Sequence, residues 1–213
     1  MKATCFPALL QKFFTERLIR QRQASSHTVS SYRDTFRLLL QFAKNHLHKS
    51  PSGLAFEDID APFVTAFLDD LESSRGISAR SRNLRLTAIR SFFHFTAFEE
   101  PTYASQIQRV LAIPEKRYSK MVVPFLSRPE VDALLAAPHR ETWLGRRDHA
   151  LMLTAVQTGL RLSELTGLKC QDLHLGRGAH VRCLGKGRKE RCTPLAKQTV
   201  TVLKAWLKGK RPA

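Results

Sequence analysis

A chain of 213 residues, 43 % of them hydrophobic, has enough apolar material for real cores. A disordered tail is therefore excluded, and the length fits one large domain or two of ordinary size. Lysine and arginine number 35 against 18 aspartates and glutamates, a formal charge of +17; such an excess repels itself in the folded state and finds relief on a polyanion, DNA or RNA first, with a cationic protein that merely adheres to acidic surfaces as the alternative.

The basic residues are spread along helix-like segments, which favours a folded binding surface over a basic tail. Helical spacing runs from Phe6 to about Gln21, with Leu9, Leu10, Phe13, Phe14 and Leu18 on one side. Ser25, Ser26 and Thr28 offer caps for a second helix that turns Val29, Tyr32, Phe36, Leu39, Leu40 and Ala43 inward, until Pro51 and Gly53 break the pattern. Asp60 and Pro62 start a third helix with Phe63, Val64, Phe67, Leu68 and Leu71 inside, ended by Gly76. Ser78 opens a fourth to about Glu99, with Leu84, Ala88, Ile89, Phe92, Phe93 and Phe95 inside, and a short fifth fits Ala104 to Leu111. Four or five short amphipathic helices make a small bundle.

From Pro114 to Pro124 the periodicity lapses into prolines and the cations Lys116, Arg117 and Lys120. This is a basic linker that crosses a DNA backbone or a solvated interdomain loop. Ser127 and Glu130 then form a capping box for a further helix. An apolar helix covers Arg147 to Leu160, and a short one Leu162 to Leu168. Ala179–Leu184 and Arg191–Leu195 read as two strands around the turn Gly185-Lys186-Gly187-Arg188, before a last helix carrying Val200, Leu203, Trp206 and Leu207. The fold class is mainly α with a small β-hairpin or sheet, divided into a helical bundle at 1–112, a basic linker at 113–125 and a partial α+β domain at 126–213. Cys5, Cys170, Cys183 and Cys192 form no CxxC or CxxH pair, so free thiols in a reducing compartment and no metal site are expected. No secretory signal or long apolar run is visible, and no membrane partner is expected.

Two strings carry a family likeness: Thr158-Gly159-Leu160-Arg161-Leu162-Ser163-Glu164-Leu165, followed by Gly167-Leu168 and Asp172-Leu173, and Gly185-Lys186-Gly187-Arg188-Lys189-Glu190-Arg191, followed by Pro194-Leu195. In this order, after a basic helical bundle, they resemble tyrosine recombinases of the Xer and phage-integrase type over nearly the whole chain. The resemblance implies a SAM-like core-binding bundle and a catalytic domain that clamp duplex DNA between them. It implies DNA recombination or integration, in a transposable element among other settings, through a 3′-phosphotyrosyl intermediate, with no metal and no cofactor. Other recombinase protomers on the DNA and a bacterial, cytoplasmic, nucleoid-associated location follow from the same likeness.

Phosphoryl transfer to tyrosine needs cations around the non-bridging oxygens, where charge concentrates in the transition state. Arg161 matches the family's first catalytic arginine, and a guanidinium grips two phosphate oxygens where a lysine cannot. Glu164, three residues on, shares its helical face and matches the acidic position that orients the active-site cations. Lys186 matches the hairpin lysine that acts as general acid on the leaving 5′ oxygen, in a turn loosened by Gly185 and Gly187. Lys189 competes for that role; with Arg188 it otherwise contacts phosphate. On the bundle, Asn83, Thr87, Arg90 and His94 recur at helical spacing opposite the aromatic face, crowded at their start by Arg80, Arg82 and Arg85. Thr28 and Arg33 flank Tyr32 on the second helix. These residues, with Lys116, Arg117 and Lys120, form the expected DNA surface, or else a solvated basic face.

The family also requires a His-xx-Arg motif, a second His or Trp and a tyrosine after the hairpin. His174-Leu175-Gly176-Arg177 has the spacing but falls between Arg161 and Lys186, where the family has a connecting turn. Tyr32, Tyr103 and Tyr118 all precede Arg161. The expectation is therefore a chain inactive alone: a truncated recombinase, a remnant that only occupies recombination sites, or a fragment. An RNA-binding helical protein is a weaker reading, because the aromatics follow core spacing.

Overall fold

In the computed structural model, which describes residues 5–120, 122–185 and 189–209, the chain divides into two compact units, Met1–Met121 and Val122–Ala213. The first begins with α1 (Phe6–Lys12), which continues as a π-helical stretch, Phe13–Gln21. A single α-helix was expected here. The wider bonding, with Arg22 N–H donating to the Arg17 carbonyl at 3.0 Å, brings residues five apart onto one line. Phe13 and Leu18 are both buried as a result, at 0 % and 1 % exposure.

Ser25 Oγ accepts from Thr28 N–H at the start of α2 (Ser26–Leu47). Asp60 Oδ1 accepts from Phe63 N–H at 2.9 Å to start α3 (Ala61–Arg75), which ends on Gly76. Ser78 caps α4 (Ala79–Glu99), and α5 (Ala104–Leu111) follows. The core is aromatic: Phe13 meets Phe92 edge-on, with ring centroids 5.6 Å apart, and Phe36 meets the same ring at 5.4 Å. Phe6, Phe56 and Phe93 also pack against Phe92. One expectation for α4 fails. Leu84 is 60 % exposed, and Leu86 is fully buried instead. The inward face of the first turns is set by where α4 meets its neighbours, which local periodicity does not specify.

In the second unit, Glu130 closes the capping box on Ser127 and starts α6 (Arg128–Ala136). Helix α7 (Trp143–Thr158) begins earlier than the expected Arg147, because Thr142 Oγ1 caps it by accepting from Gly145 N–H at 3.0 Å. A Cβ on Gly145 would lie 1.9 Å from the His139 carbonyl oxygen, so only glycine allows that first turn to pack so closely. Buried His149 ties α7 to α6, with Nδ1 3.0 Å from the Leu135 carbonyl oxygen. Helix α8 (Leu162–Thr166) stops short of the expected Leu168.

Strands β1 (Leu173–His174), β2 (His180–Leu184) and β3 (Glu190–Pro194) form an antiparallel sheet in that order. Strand β1 was not expected, since two residues carry no readable alternation. Val181 pairs with both Leu173 and Thr193, and Cys183 pairs with Arg191. Helix α9 (Lys197–Lys208) packs on α7, and the core collects Ala150, Leu160, Val181, Cys183, Leu195 and Leu203. Among the described residues, no helix is long and apolar enough to cross a membrane.

Candidate functional site

The polar centre of the second unit forms where α7 hands over to α8. Gly159 ends α7 with φ +61, a left-handed conformation suited to glycine, and Leu160 turns into the core at 7 % exposure. Arg161 then takes an extended backbone (φ −66, ψ 153) as the residue preceding α8. Its N–H would be orphaned at the helix start, and Glu164 Oε2 accepts it at 2.8 Å. The bond that caps the helix also anchors the carboxylate beneath Arg161.

Both oxygens of Glu164 are bonded to arginine. Oε1 accepts from Arg161 Nη1 at 3.1 Å, and Oε2 also accepts from Arg191 Nη2 at 2.8 Å. The Glu164 side chain is only 4 % exposed, whereas those of Arg161 and Arg191 are 62 % and 42 % exposed. The Arg161 backbone N–H, then its guanidinium and the charges of both arginines hold the Glu164 carboxyl below its usual range against the opposing effect of burial. Arg191 is held more firmly in its charged form, first by the contact of its Nε with Cys183 Sγ at 3.2 Å and then by Glu164. A buried anion thus holds two guanidiniums, and that of Arg161, the more exposed and the less engaged, is suited to gripping the oxygens of a phosphate.

The structure brings Arg161 and Glu164 together. Lys186 and Arg188 lie outside the described residues. Gly185 N–H donates to the Lys189 carbonyl at 2.8 Å, and Lys189 is exposed. A Cβ on Gly185 would sit 3.4 Å from Glu164 Oε1, so the residue that follows β2 lies against the same carboxylate. His174 Nε2 lies 3.1 Å from the Arg177 carbonyl oxygen, within one local turn. Sequence reasoning missed Arg191. Its signal was the strand register, which places it opposite Cys183 and beside α8.

In the first unit, the stripe expected on α4 splits in two. Arg80, Thr87 and His94 are exposed. Arg82 and Asn83 are not: they are 4 % and 7 % exposed. Arg82 lies 3.3 Å from Glu72, and Asn83 bonds both the N–H and the carbonyl of Lys116, at 3.0 and 2.8 Å. Arg90 donates to the Ile113 carbonyl and to Glu115, and Lys116 Nζ bonds Glu72 at 2.6 Å. The expectation that Arg82 and Asn83 face DNA is therefore corrected. Residues 113–116 lie along α4, and their backbone groups need the partners that Asn83, Arg82 and Arg90 supply.

Arg85 bonds the Ser31 carbonyl and Thr35 Oγ1 of α2, with its side chain half-buried. Thr28, Arg33, Arg117 and Lys120 are exposed. Arg17 and Arg22, which the sequence reading passed over, join Thr87, Arg90, His94 and the 84 % exposed Phe98 around a groove of about 420 Å³. Tyr32 stacks on Phe13, Tyr103 donates to Glu57 at 2.6 Å, and Tyr118 is 44 % exposed, all in this unit. Among the described residues, no group of three or more His, Cys, Asp or Glu is placed to hold a metal ion.

Comparison with known proteins places these two units in a known pair. Residues 124–212 match the phage integrase family, and residues 12–100 match the phage integrase N-terminal SAM-like domain. The chain is 68 % identical over 200 residues to y4rC of Sinorhizobium fredii, which carries the name integrase/recombinase; the match covers 94 % of this chain and 60 % of that protein. It is 44 % identical over 201 residues to the like-named y4rD of the same organism, covering 93 % and 71 %. Among solved structures, XerH site-specific recombinase bound to palindromic difH substrate matches with a TM-score of 0.61 at 22 % identity, over 87 % of this chain and 54 % of that one. The chain thus spans about 60 % of the length of its relative y4rC.

Proposed function

This chain belongs to the phage integrase family of tyrosine recombinases, and from that premise we propose that it binds duplex DNA and seats a backbone phosphate on Arg161. The observation that carries the reading is the guanidinium of Arg161, 62 % exposed while its partner carboxylate is buried. Such a group is charged, oriented and open to a ligand oxygen, and it can grip two non-bridging oxygens as charge grows on them. In the whole recombinase, Lys186 delivers a proton to the leaving 5′ oxygen while a tyrosine forms the 3′-phosphotyrosyl bond. The bundle contributes phosphate contacts through Arg80, Arg85, Thr87, His94, Thr28 and Arg33, with Arg117, Lys120, Arg188 and Lys189 adding charge beyond it. Other protomers share the DNA. The domain limits proposed are 1–112 and 126–213, with a basic linker at 113–125 whose start is tied to the bundle where Asn83 bonds the Lys116 backbone.

A second reading concerns the polypeptide of these 213 residues by itself, which occupies recombination sites without cutting them, and it rests on one observation. Tyr32, Tyr103 and Tyr118 all lie in the first unit, two of them engaged with Phe13 and Glu57. A duplex-binding titration tests the shared part of both readings. Neutralising several phosphates should lower affinity by about a thousandfold between ~50 and ~200 mM salt; binding indifferent to salt would refute it. A suicide substrate that traps the 3′-phosphotyrosyl adduct tests the second. The 213-residue polypeptide should give no covalent band, and a band abolished by changing any of the three tyrosines to Phe would overturn the second reading.

A further inference from the structure

We infer that Arg191 is a positioning residue for Arg161, acting through Glu164; its role in phosphate binding rests on the function proposed above. Arg161 alone is poorly restrained. Its guanidinium is mostly in solvent and makes one side-chain bond to Glu164, to Oε1. That oxygen keeps its place only if the carboxylate plane is fixed, and apart from Arg191 both donors that hold it, the backbone N–H on Oε2 and Nη1 on Oε1, belong to Arg161 itself. Arg191 brings a donor from a different element. Its Nη2 reaches Oε2 at 2.8 Å, beside the Arg161 backbone N–H on the same oxygen.

Arg191 is itself restrained. Its Nε lies 3.2 Å from Cys183 Sγ, and Cys183, its partner across β2 and β3, is 6 % exposed in the core. A continuous chain of contacts therefore runs from the buried thiol through Arg191 and Glu164 to Arg161. It joins strands β2 and β3 to the start of α8, where Arg161 stands. Gly185 lies at the same junction, where a Cβ would be in van der Waals contact with Glu164 Oε1 at 3.4 Å. An arginine that merely braced a strand would need no bond to the carboxylate that holds Arg161. Glutamine at 191 would keep a donor but lose the fork and the charge that let one side chain hold Cys183 and Glu164 together.

The test reads Arg161 directly, without DNA. Side-chain ¹⁵N relaxation at Arg161 Nε, assigned by its absence in Arg161→Lys, is compared among the wild-type chain, Arg191→Gln and Arg191→Ala. Arg161 should be ordered in the wild type and lose order in both variants, more in Ala than in Gln. If Arg191→Ala fails to give a dispersed amide spectrum, Arg191→Gln decides. An Arg161 as ordered in the folded variants as in the wild type overturns the proposal, even if the melting temperature falls, because that pattern is a strand brace.

Duplex affinity supplies the second readout. Arg161→Ala and Arg191→Gln should each weaken binding about three- to tenfold, and the double variant should be no weaker than Arg161→Ala alone. Losses that multiply overturn the positioning role, since independent contacts do that. A wild-type chain that binds no duplex at all would refute the DNA reading, while the order of Arg161 in the relaxation measurement would still decide the role of Arg191.

Discussion

In the first unit Phe6, Phe13, Phe36, Phe56, Phe92 and Phe93 are fully or nearly fully buried, and their rings meet edge-on or, at Phe56, tilted. In the second the core is aliphatic and small, built on Ala150, Leu160, Val181, Cys183, Leu195 and Leu203, while Leu144, Val156 and Leu162 remain more than half exposed. An apolar groove of about 340 Å³ also opens between α7 and α9, lined by Leu151, Leu165, Leu203 and Trp206. The bundle is thus organised by packing, and its candidate binding residues are attached to a scaffold that stands without them. The second unit has less packing to draw on, so a polar network centred on one buried glutamate does a larger share of the local ordering.

The largest expected effect lies in the aromatic core. Phe92→Ala should cost about 3–5 kcal/mol, because several rings lose their common partner. Both tryptophans, Trp143 and Trp206, lie in the second unit, so their fluorescence reports that unit while far-ultraviolet circular dichroism reports both. In a urea titration the dichroism transition should move and the fluorescence transition should stay. A joint shift would break the comparison, since it would mean that the units unfold together.

Leu203→Ala is the converse and somewhat smaller. It should cost about 2–3 kcal/mol, toward the low end for leucine truncations because the groove beside it leaves fewer contacts to lose. Here the fluorescence transition should move and most of the dichroism should not.

Asn83→Ala tests the seam at the end of the first unit. It strips the partners from the Lys116 N–H and carbonyl, for a cost of about 1–3 kcal/mol. Limited trypsin digestion followed by mass spectrometry should find cutting at Arg117 and Lys120 in the wild type and added cutting at Lys116 in the variant. Unchanged cutting would show that Asn83 holds nothing.

The ionisation of Glu164 gives a smaller effect with a defined sign. Its carboxyl is held below the 4.5 of an ordinary glutamate, so the unfolded chain takes up a proton there before the folded one does. The stabilisation is complete above about that value and is lost as pH falls through the lowered folded value. Fluorescence-monitored melting should show the second unit weakening over this acid range, and Glu164→Gln should flatten that part of the profile. The capping carboxylate of Glu130, also held low by Ser127, contributes in the same direction and remains in the variant. The smallest effect is at Leu84, 60 % exposed. Leu84→Ala should change stability by less than about 0.5 kcal/mol, and a loss of core-leucine size would contradict its placement.

The sequence by itself determined the division into a helical bundle and a mixed α and β unit, most helix starts, and the pairing of Arg161 with Glu164. Those features are local: caps act within three residues, amphipathic faces repeat every turn, and a residue three on in a helix shares a face. Tertiary structure decided the rest. Arg82 and Asn83 have the same exposed-looking spacing as Arg80 and Thr87, but residues 113–116 fold back along α4 and bury them. Nothing within a helical turn encodes that return. Arg191 became a partner of Glu164 because the register of β2 and β3 sets it opposite Cys183 and within reach of α8. A hairpin's register is fixed by pairing across the sheet, so contacts that span it are settled when the strands meet.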